Sequence, residues 1–387
     1  MKSIIEKDYC TGCGACVASC PKNAIITYFD SEGFEYPRIN PSLCIDCGLC
    51  QRICPPLHFS EYFETVKNHC TVQRGFAARS NNLEERLTSS SGGIFPLLAR
   101  EIIEEKGLVV GVGFDSSFGA SYQIIEEIDQ LPIIQGSKYM QCKIDSTVFK
   151  RVKEALIAGR KVLFSGFACQ CEGLKNYLTK DYKNLFCVDL ICMGVPSRVV
   201  WQHYLKTFFN NEEIHHINFK EKSLGWNRFS LSIQTDKQAF LQRGALNPFF
   251  RSMFKGYNMR RSCFFCTFKK RERTADITLA DCWGVYDLAP LVDDNKGLSA
   301  VLIHTEKGRE LWSRINSKTD FVERPFEVFV KGNPNMIERK SVDYKSRSRF
   351  YSYLNSNNEK KAFEYAGKDR LNIKALAKQL FATLFKH

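Results

Sequence analysis

Cys10-Thr11-Gly12-Cys13-Gly14-Ala15-Cys16-Val17-Ala18-Ser19-Cys20-Pro21 returns, 34 positions on, as Cys44-Ile45-Asp46-Cys47-Gly48-Leu49-Cys50-Gln51-Arg52-Ile53-Cys54-Pro55. Both runs read C-x2-C-x2-C-x3-C-P. That spacing suits a pair of [4Fe–4S] cubanes. Three thiolates on one tight loop reach three irons of a cube, and the fourth thiolate of each run crosses to the other cube. One set is therefore Cys10, Cys13, Cys16 and Cys54, and the other is Cys44, Cys47, Cys50 and Cys20. Gly12, Gly14 and Gly48 let the backbone fold closely around the metal. A zinc site spaces its pairs differently, and neither zinc nor a disulfide framework explains a doubled eight-cysteine pattern.

Between the runs, Ala24–Phe29 and Phe34–Pro37 flank Asp30-Ser31-Glu32-Gly33, which reads as strand, turn, strand. The module spans 1–57, with a linker over 58–74. The chain has 387 residues, enough for two or three domains and a well-cored body. Seventeen cysteines without a secretory signal point to a reducing cytosol and metal ligation. The start MKSIIEKDYC is too short and too charged for a signal peptide, and no apolar run reaches the length of a membrane span. The formal charge is +13. Three cubanes at about −2 each and a flavin diphosphate would bring that to roughly +5. A basic surface suits an acidic redox partner or an anionic lipid face, whereas no nucleic-acid motif accompanies the charge.

The body alternates elements. Gly75–Arg79 reads as a strand. Thr88-Ser89-Ser90-Ser91-Gly92-Gly93 is small and polar, and opens a helix through Ile94 and Ile103. Its amides would suit an anion, although a Ser/Gly cap on an ordinary surface helix has the same pattern. Leu108–Phe114 is a buried strand, and another follows near Ser121–Ile125. Gln135–Gln141 is a polar loop. Val148, Val152, Ala155 and Leu156 form one helical face. Lys161–Phe164 and Leu185–Leu190 are strands, with helices at Leu174–Leu178 and Ser197–Phe209. Such alternation predicts helices packed on a mixed or parallel sheet. Cys169 and Cys192 sit where strands hand over to loops, where α/β sheets place sites. Beyond 210 the pattern turns to short strands and loops, among them Cys263-Phe264-Phe265-Cys266. A lone C-x2-C needs two more ligands. Cys169 and Cys192 are candidates, with Cys171 and Cys282 in reserve, and small buried core thiols are the alternative. Residues 336–387 form a basic helical region, with Ile373, Leu376, Leu380 and Leu384 at helical intervals. Packing on the body is expected there, and a membrane-surface or partner-docking helix is the other option.

Several short stretches carry a resemblance: Ser90–Gly93, Gly136-Ser137-Lys138-Tyr139, Cys169-Gln170 with Gly173-Leu174, Cys192–Ser197, Arg260–Cys266, Ala275–Thr278 and Trp283-Gly284. In this order they resemble the coenzyme F420 hydrogenase/dehydrogenase β-subunit family, whose members often carry an N-terminal double-cubane ferredoxin domain. The resemblance implies an α+β or α/β fold: a small ferredoxin-like module and a larger mixed-sheet flavin and iron–sulfur body over 75–335. It implies FAD beside a third [4Fe–4S] cluster held by Cys169, Cys192, Cys263 and Cys266. Ser90, Ser91, Gly92, Gly93, Gly136, Ser137, Lys138 and Tyr139 would hold the flavin, with Lys138 as the catalytic cation. Ala168, Met193 and Cys282 depart from the common pattern but leave the thiols intact. The implied function is a flavin-dependent iron–sulfur oxidoreductase acting on a deazaflavin or another two-electron substrate, such as one in surface-polysaccharide assembly. The alternative is an electron-transfer subunit serving a partner enzyme. Arg260 and Arg261 could offset cluster charge, though such basic pairs usually face solvent.

Overall fold

The computed structural model describes residues 3–58, 74–284 and 293–368. In the N-terminal module, β1 (Ile25–Phe29) and β2 (Glu35–Ile39) pair antiparallel, as the sequence pattern implies. Asp30 makes the turn: its carboxylate accepts from the amides of Glu32 and Phe34. Two short helices, Ala15–Ser19 and Leu49–Arg52, follow Gly14 and Gly48, both in left-handed backbone at φ 86° and 70°.

The body strands are β3 (Arg74–Ser80), β4 (Leu108–Phe114), β5 (Ala120–Ile125), β6 (Val162–Phe167), β7 (Leu185–Leu190), β8 (Ile214–Glu221), β9 (Ser230–Thr235), β10 (Ala239–Arg243), β11 (Ile277–Asp281), β12 (Ser299–Ile303) and β13 (Thr319–Arg324). Eight of them form one mixed sheet, ordered β13-β3-β12-β11-β7-β6-β4-β5. Its centre, β4-β6-β7-β11, is parallel, and its flanks are antiparallel. β8, β9 and β10 make a separate antiparallel meander.

The central strands are apolar on both faces because helices cover both. Val109, Leu163, Phe186 and Val188 face the helices Ile94–Glu104 and Glu306–Ile315. Their neighbours Val110, Phe164 and Cys187 face Ser146–Ile157 and Ala168–Leu178, on the side where the module's Ala15, Ala18 and Ile53 also pack. A second core is aromatic: Trp201, Tyr204, Phe219, Phe249, Phe250, Phe350 and Phe363 pack around the meander. Trp201 and Phe219 lie 4.7 Å apart, and Trp201 and Phe249 4.9 Å, within the range of favourable ring pairs.

Polar bonds fix the module to the body. Glu35 N donates to Gln141 Oε1 at 2.9 Å, Ile144 N donates to Glu35 Oε2 at 2.9 Å, and Ser197 Oγ donates to the Gly33 carbonyl at 3.0 Å. All of these groups are buried, where an unmade hydrogen bond costs about 1–3 kcal/mol.

Three expectations change. The strand read as Lys161–Phe164 runs on to Phe167, and the helix read from Leu174 begins at Ala168, so Cys169 lies in the first turn of a helix instead of in a loop. Gln170 explains the early start, because its side-chain oxygen accepts from Phe167 N at 2.8 Å and caps the helix. Between 210 and 335 the chain is richer in helices than the pattern implies: Pro248–Phe254, Glu306–Ile315 and Phe326–Gly332. In the region expected to be helical, Tyr344–Asn355 and Glu359–Gly367 pack on the aromatic core through Phe350, Leu354, Ala362 and Phe363. Most of the expected linker, and Ile373, Leu376, Leu380 and Leu384, lie outside the described residues.

Candidate redox centres

The two cysteine runs close in the same way. Gly12 and Asp46 occupy matching places, one residue before the second thiol of each run, and both are left-handed at φ 70° and 51°. Gly is required in the first run: a Cβ on Gly12 would sit 3.0 Å from Gln141 Nε2 and 3.2 Å from Arg260 Cζ. The second loop is freer, and Asp is one of the few residues that tolerates this backbone. Cys10, Cys13, Cys16 and Cys54 line one cavity of about 380 Å³, so the structure gathers the set that the spacing implies. Cys20, Cys44 and Cys50 are half-buried and Cys47 is exposed. Ala24 N donates to Cys20 Sγ at 3.2 Å.

A second cavity, about 510 Å³, is lined by Cys169, Cys192, Cys263 and Cys266 together. Cys169 follows β6 and Cys192 follows β7, at the carboxyl ends of neighbouring parallel strands, which is where an open α/β sheet presents ligands. Cys263 lies in the turn Arg261–Phe265 and Cys266 directly follows it. Val195 N donates to Cys263 Sγ at 3.3 Å. Gly194 permits the close approach, since a Cβ there would meet Met259 Sδ at 2.6 Å. The reserves, Cys171 and Cys282, are buried in two separate apolar clusters.

Burial pushes Cys13 up to about 11, Cys54 up to about 12 and Cys263 up to about 11, and raises Cys16, Cys169 and Cys192 as well. Such thiols keep their protons until a metal displaces them, so loading releases protons. Among the described residues, no three His, Cys, Asp or Glu side chains converge on a single ion. Thiolates at the corners of a cube stand farther apart than the ligands of one ion, so ringed thiols around a cavity suit a cluster. Two basic side chains line this cavity: Lys269 Nζ donates to the Cys192 carbonyl at 2.8 Å, and Arg273 pairs with buried Asp189 at 3.2 Å.

The third space is a cleft of about 1270 Å³, mouth included, at the carboxyl ends of β6, β7 and β11. Ser90, Ser91, Gly93, Gly136, Ser137, Lys138 and Tyr139 all line it. The two segments meet there, with Ser90 Oγ and Ser137 Oγ 2.8 Å apart. Gly93 is left-handed at φ 79° and caps the helix Ile94–Glu104. Gly92 is the exception. It is absent from the lining, and its amide donates to Ser299 Oγ at 2.9 Å, so it is no bare donor for a phosphate. Its part is packing, because a Cβ there would lie 2.4 Å from the Ala78 carbonyl. Lys138 Nζ donates to the carbonyls of Gln135 at 2.5 Å and Gly136 at 3.2 Å, and burial lowers it to about 7.

The groups present suit a phosphate-bearing ligand: Ser90 and Ser137 bring hydroxyls to the cleft, and Ser89 Oγ, on its wall, is buried without a partner. The three spaces also adjoin. Thr11 lines both thiol cavities, and Phe167 and Leu190 line both the body cavity and the cleft.

Several site residues are invisible to pattern reading. Asp281 ends β11 in the cleft wall and pairs with buried Lys220 at 2.9 Å. Lys220 also lies 4.5 Å from the ring of Trp283, which stacks on Trp226 at 4.5 Å. The one sequence signal is that Asp281 stands two residues before Trp283-Gly284. Arg260, expected to be solvated, is wholly buried.

Residues 159–328 match the family model for the C terminus of the coenzyme F420 hydrogenase/dehydrogenase β subunit, and residues 9–56 match that of a 4Fe–4S dicluster domain. No curated protein matches. Among solved structures, the xenon-derivatised F420-reducing [NiFe] hydrogenase complex from Methanosarcina barkeri contains a chain with 17% sequence identity. The alignment covers 76% of this chain and 91% of that one, with a TM-score of 0.46.

Proposed function

We propose that this chain, an iron–sulfur electron-transfer protein with the C-terminal region of the coenzyme F420 hydrogenase/dehydrogenase β-subunit family behind a 4Fe–4S dicluster domain, is a flavin-dependent oxidoreductase. In this reading Cys169, Cys192, Cys263 and Cys266 hold a third cubane, and the cleft holds FAD. The observation that carries the reading is the sharing of wall residues. Thr11 joins the inner module cavity to the body cavity, and Phe167 and Leu190 join the body cavity to the cleft. Electron transfer between centres needs close approach, and the shared walls from the inner module cavity to the cleft support that reading.

A flavin trades electrons singly with iron and in pairs, as hydride, with an organic partner. The chain's own groups serve that exchange. Ser90 and Gly93 supply a hydroxyl and a helix N-terminus, which suit a diphosphate, whereas Ser91 Oγ is committed to the Leu298 carbonyl at 2.6 Å. Phe167, Leu190 and Leu279 give the cleft an apolar part of its wall. Lys138, held by two carbonyls, keeps or gives up a proton at Nζ near neutral pH, and in its charged form stabilises negative charge beside it. The Lys220–Asp281 pair fixes the far wall and leaves Asp281 facing the cleft.

The test is a count of iron, sulfide and flavin on protein purified without oxygen. About twelve irons and one FAD per chain are expected for three cubanes; about eight irons and no flavin would refute the assignment of the body. Reduced deazaflavin then separates substrate use from relay. Bleaching of the flavin absorbance by that donor alone supports an enzyme, and reduction only through another protein supports a subunit with no substrate of its own.

A further inference from the structure

Arg260 belongs to one thiol set by its backbone and touches the other with its side chain. Its amide donates to the Val195 carbonyl at 2.8 Å, and Cys263 N donates to its carbonyl at 3.0 Å, so its main chain is part of the loop that presents Cys263. Its guanidinium reaches into the module. Nε donates to the Cys10 carbonyl at 2.8 Å, Nη1 donates to the Glu35 carbonyl at 3.0 Å, and Nη2 lies 3.5 Å from Cys10 Sγ. The guanidinium carbon stands 3.9 Å from the Tyr36 ring centroid, and the residue is 0% exposed.

Given the cluster placement proposed above, on which this inference rests, the charge stands between two redox centres. N–H donors to cluster sulfur and a nearby cation favour the reduced form and raise the potential. Two adjacent centres also oppose each other, because one extra electron on the first repels an electron bound for the second. Low dielectric makes that repulsion large. A fixed cation between them acts on both and weakens it. Lys269 and Arg273 line the body cavity, whereas Arg260 is the group whose side chain reaches Cys10.

We propose that Arg260 sets the potentials of the inner module cubane and the body cubane jointly, so that both can be reduced at the same time. Each then stores one electron taken from a low-potential one-electron donor protein, and the two leave in succession to a two-electron acceptor. A guanidinium with this role is a potential-setting residue and makes no contact with substrate.

Iron and sulfide are first counted on each protein, which tests the cluster placement separately. Anaerobic potentiometric titration followed by electron paramagnetic resonance then tests the inference. In the wild type the two inner centres should titrate within about tenfold of each other in reduced-to-oxidised ratio, ~59 mV for one-electron couples. The fully reduced protein should show a magnetically coupled pair. In Arg260→Gln the ratio for the Cys10-ligated centre should fall about tenfold at the wild-type midpoint, ~59 mV to the negative, and the two midpoints should separate. Arg260→Lys, which keeps the charge, should titrate with the wild type. A full-iron Arg260→Gln with unchanged potentials would overturn the proposal, as would Arg260→Lys behaving like the glutamine variant. If the glutamine variant loses iron, the wild type still decides: midpoints more than about a hundredfold apart, ~118 mV, would overturn it.

Discussion

Replacing Arg273 by methionine should destabilise the body strongly, and by an amount that depends on pH. The Arg273 side chain is 6% exposed and that of its partner Asp189 is 1% exposed, with 3.2 Å between Nη1 and Oδ2. Asp189 also accepts from Thr278 Oγ1. That hydroxyl has one proton to give, so His304 Nε2, 2.7 Å away, must donate to Thr278. Burial lowers His304 to about 3 and keeps it neutral, so it cannot replace the lost guanidinium charge. Removing one partner of a buried pair costs about 3–5 kcal/mol. The Thr278 bond survives in Arg273→Met, which puts the expected loss near the lower end, about 3 kcal/mol. At 2–4 °C per kcal/mol for larger domains, that is about 6–12 °C in Tm. Burial already raises the Asp189 carboxyl against the opposing pull of Arg273. Without Arg273 it rises further, so the folded state binds a proton that the unfolded state releases. Stability then falls as pH rises from the usual carboxylate value through the folded one. The assay is anaerobic thermal unfolding by circular dichroism at pH 5 and pH 8, on Arg273→Met, Asp189→Asn and the double variant. The deficit should be smaller at pH 5, and the double variant should lose less than the two single losses added together. A deficit unchanged by pH, together with additive losses, would refute the reasoning.

Cys263→Ser with Cys266→Ser should lower iron from about twelve to about eight per chain, leaving the module clusters in place; retention of all the iron would mean that the body thiols do not bind it. Gly92→Ala must push a methyl against the Ala78 carbonyl, which backbone cannot easily yield, and should cost about 1–3 kcal/mol by thermal unfolding. An unchanged Tm would show that the loop gives way. Lys138 is lowered to about 7, so the folded state favours its neutral amine, and stability contributed there rises with pH from about 7 toward the ordinary lysine value. Lys138→Met should reduce the rise of Tm between pH 6 and pH 9, leaving the share of Lys222, which burial also lowers to about 7. Equal slopes in variant and wild type would place Lys138 in water.

Much of the site was legible because cluster chemistry writes its spacing into the chain. The doubled run sorts the thiols into two sets, and one cavity is lined by Cys10, Cys13, Cys16 and Cys54, the first of them. Runs of apolar residues such as Leu108-Val109-Val110 marked strands covered on both faces. The body thiols were harder. A lone C-x2-C names two ligands, and Cys169 and Cys192 were only two of four candidates until β6 and β7 set them at adjacent strand ends. Gly92 misled because Gly-Gly before a helix looks like an anion cradle, whereas its neighbours across the sheet need the space. Arg260 misled in the opposite sense. An Arg-Arg pair reads as surface, and only the docked module, contributing the Cys10 and Glu35 carbonyls, makes a buried position for the first of them. The Lys220–Asp281 contact joins residues 61 positions apart, and no local pattern announces it.

The body thiols come from Cys169 at one extreme to Cys266 at the other, and their geometry depends on β7 and β11 lying side by side. The module's eight ligands all lie between Cys10 and Cys54. During synthesis the module could receive its metal while most of the chain is still on the ribosome. In the proposed reading, the body site comes into being only after the sheet has closed, so its maturation belongs to a folded acceptor. Starving cells of iron–sulfur donors late in synthesis should therefore yield chains that are metallated at the front and vacant in the middle.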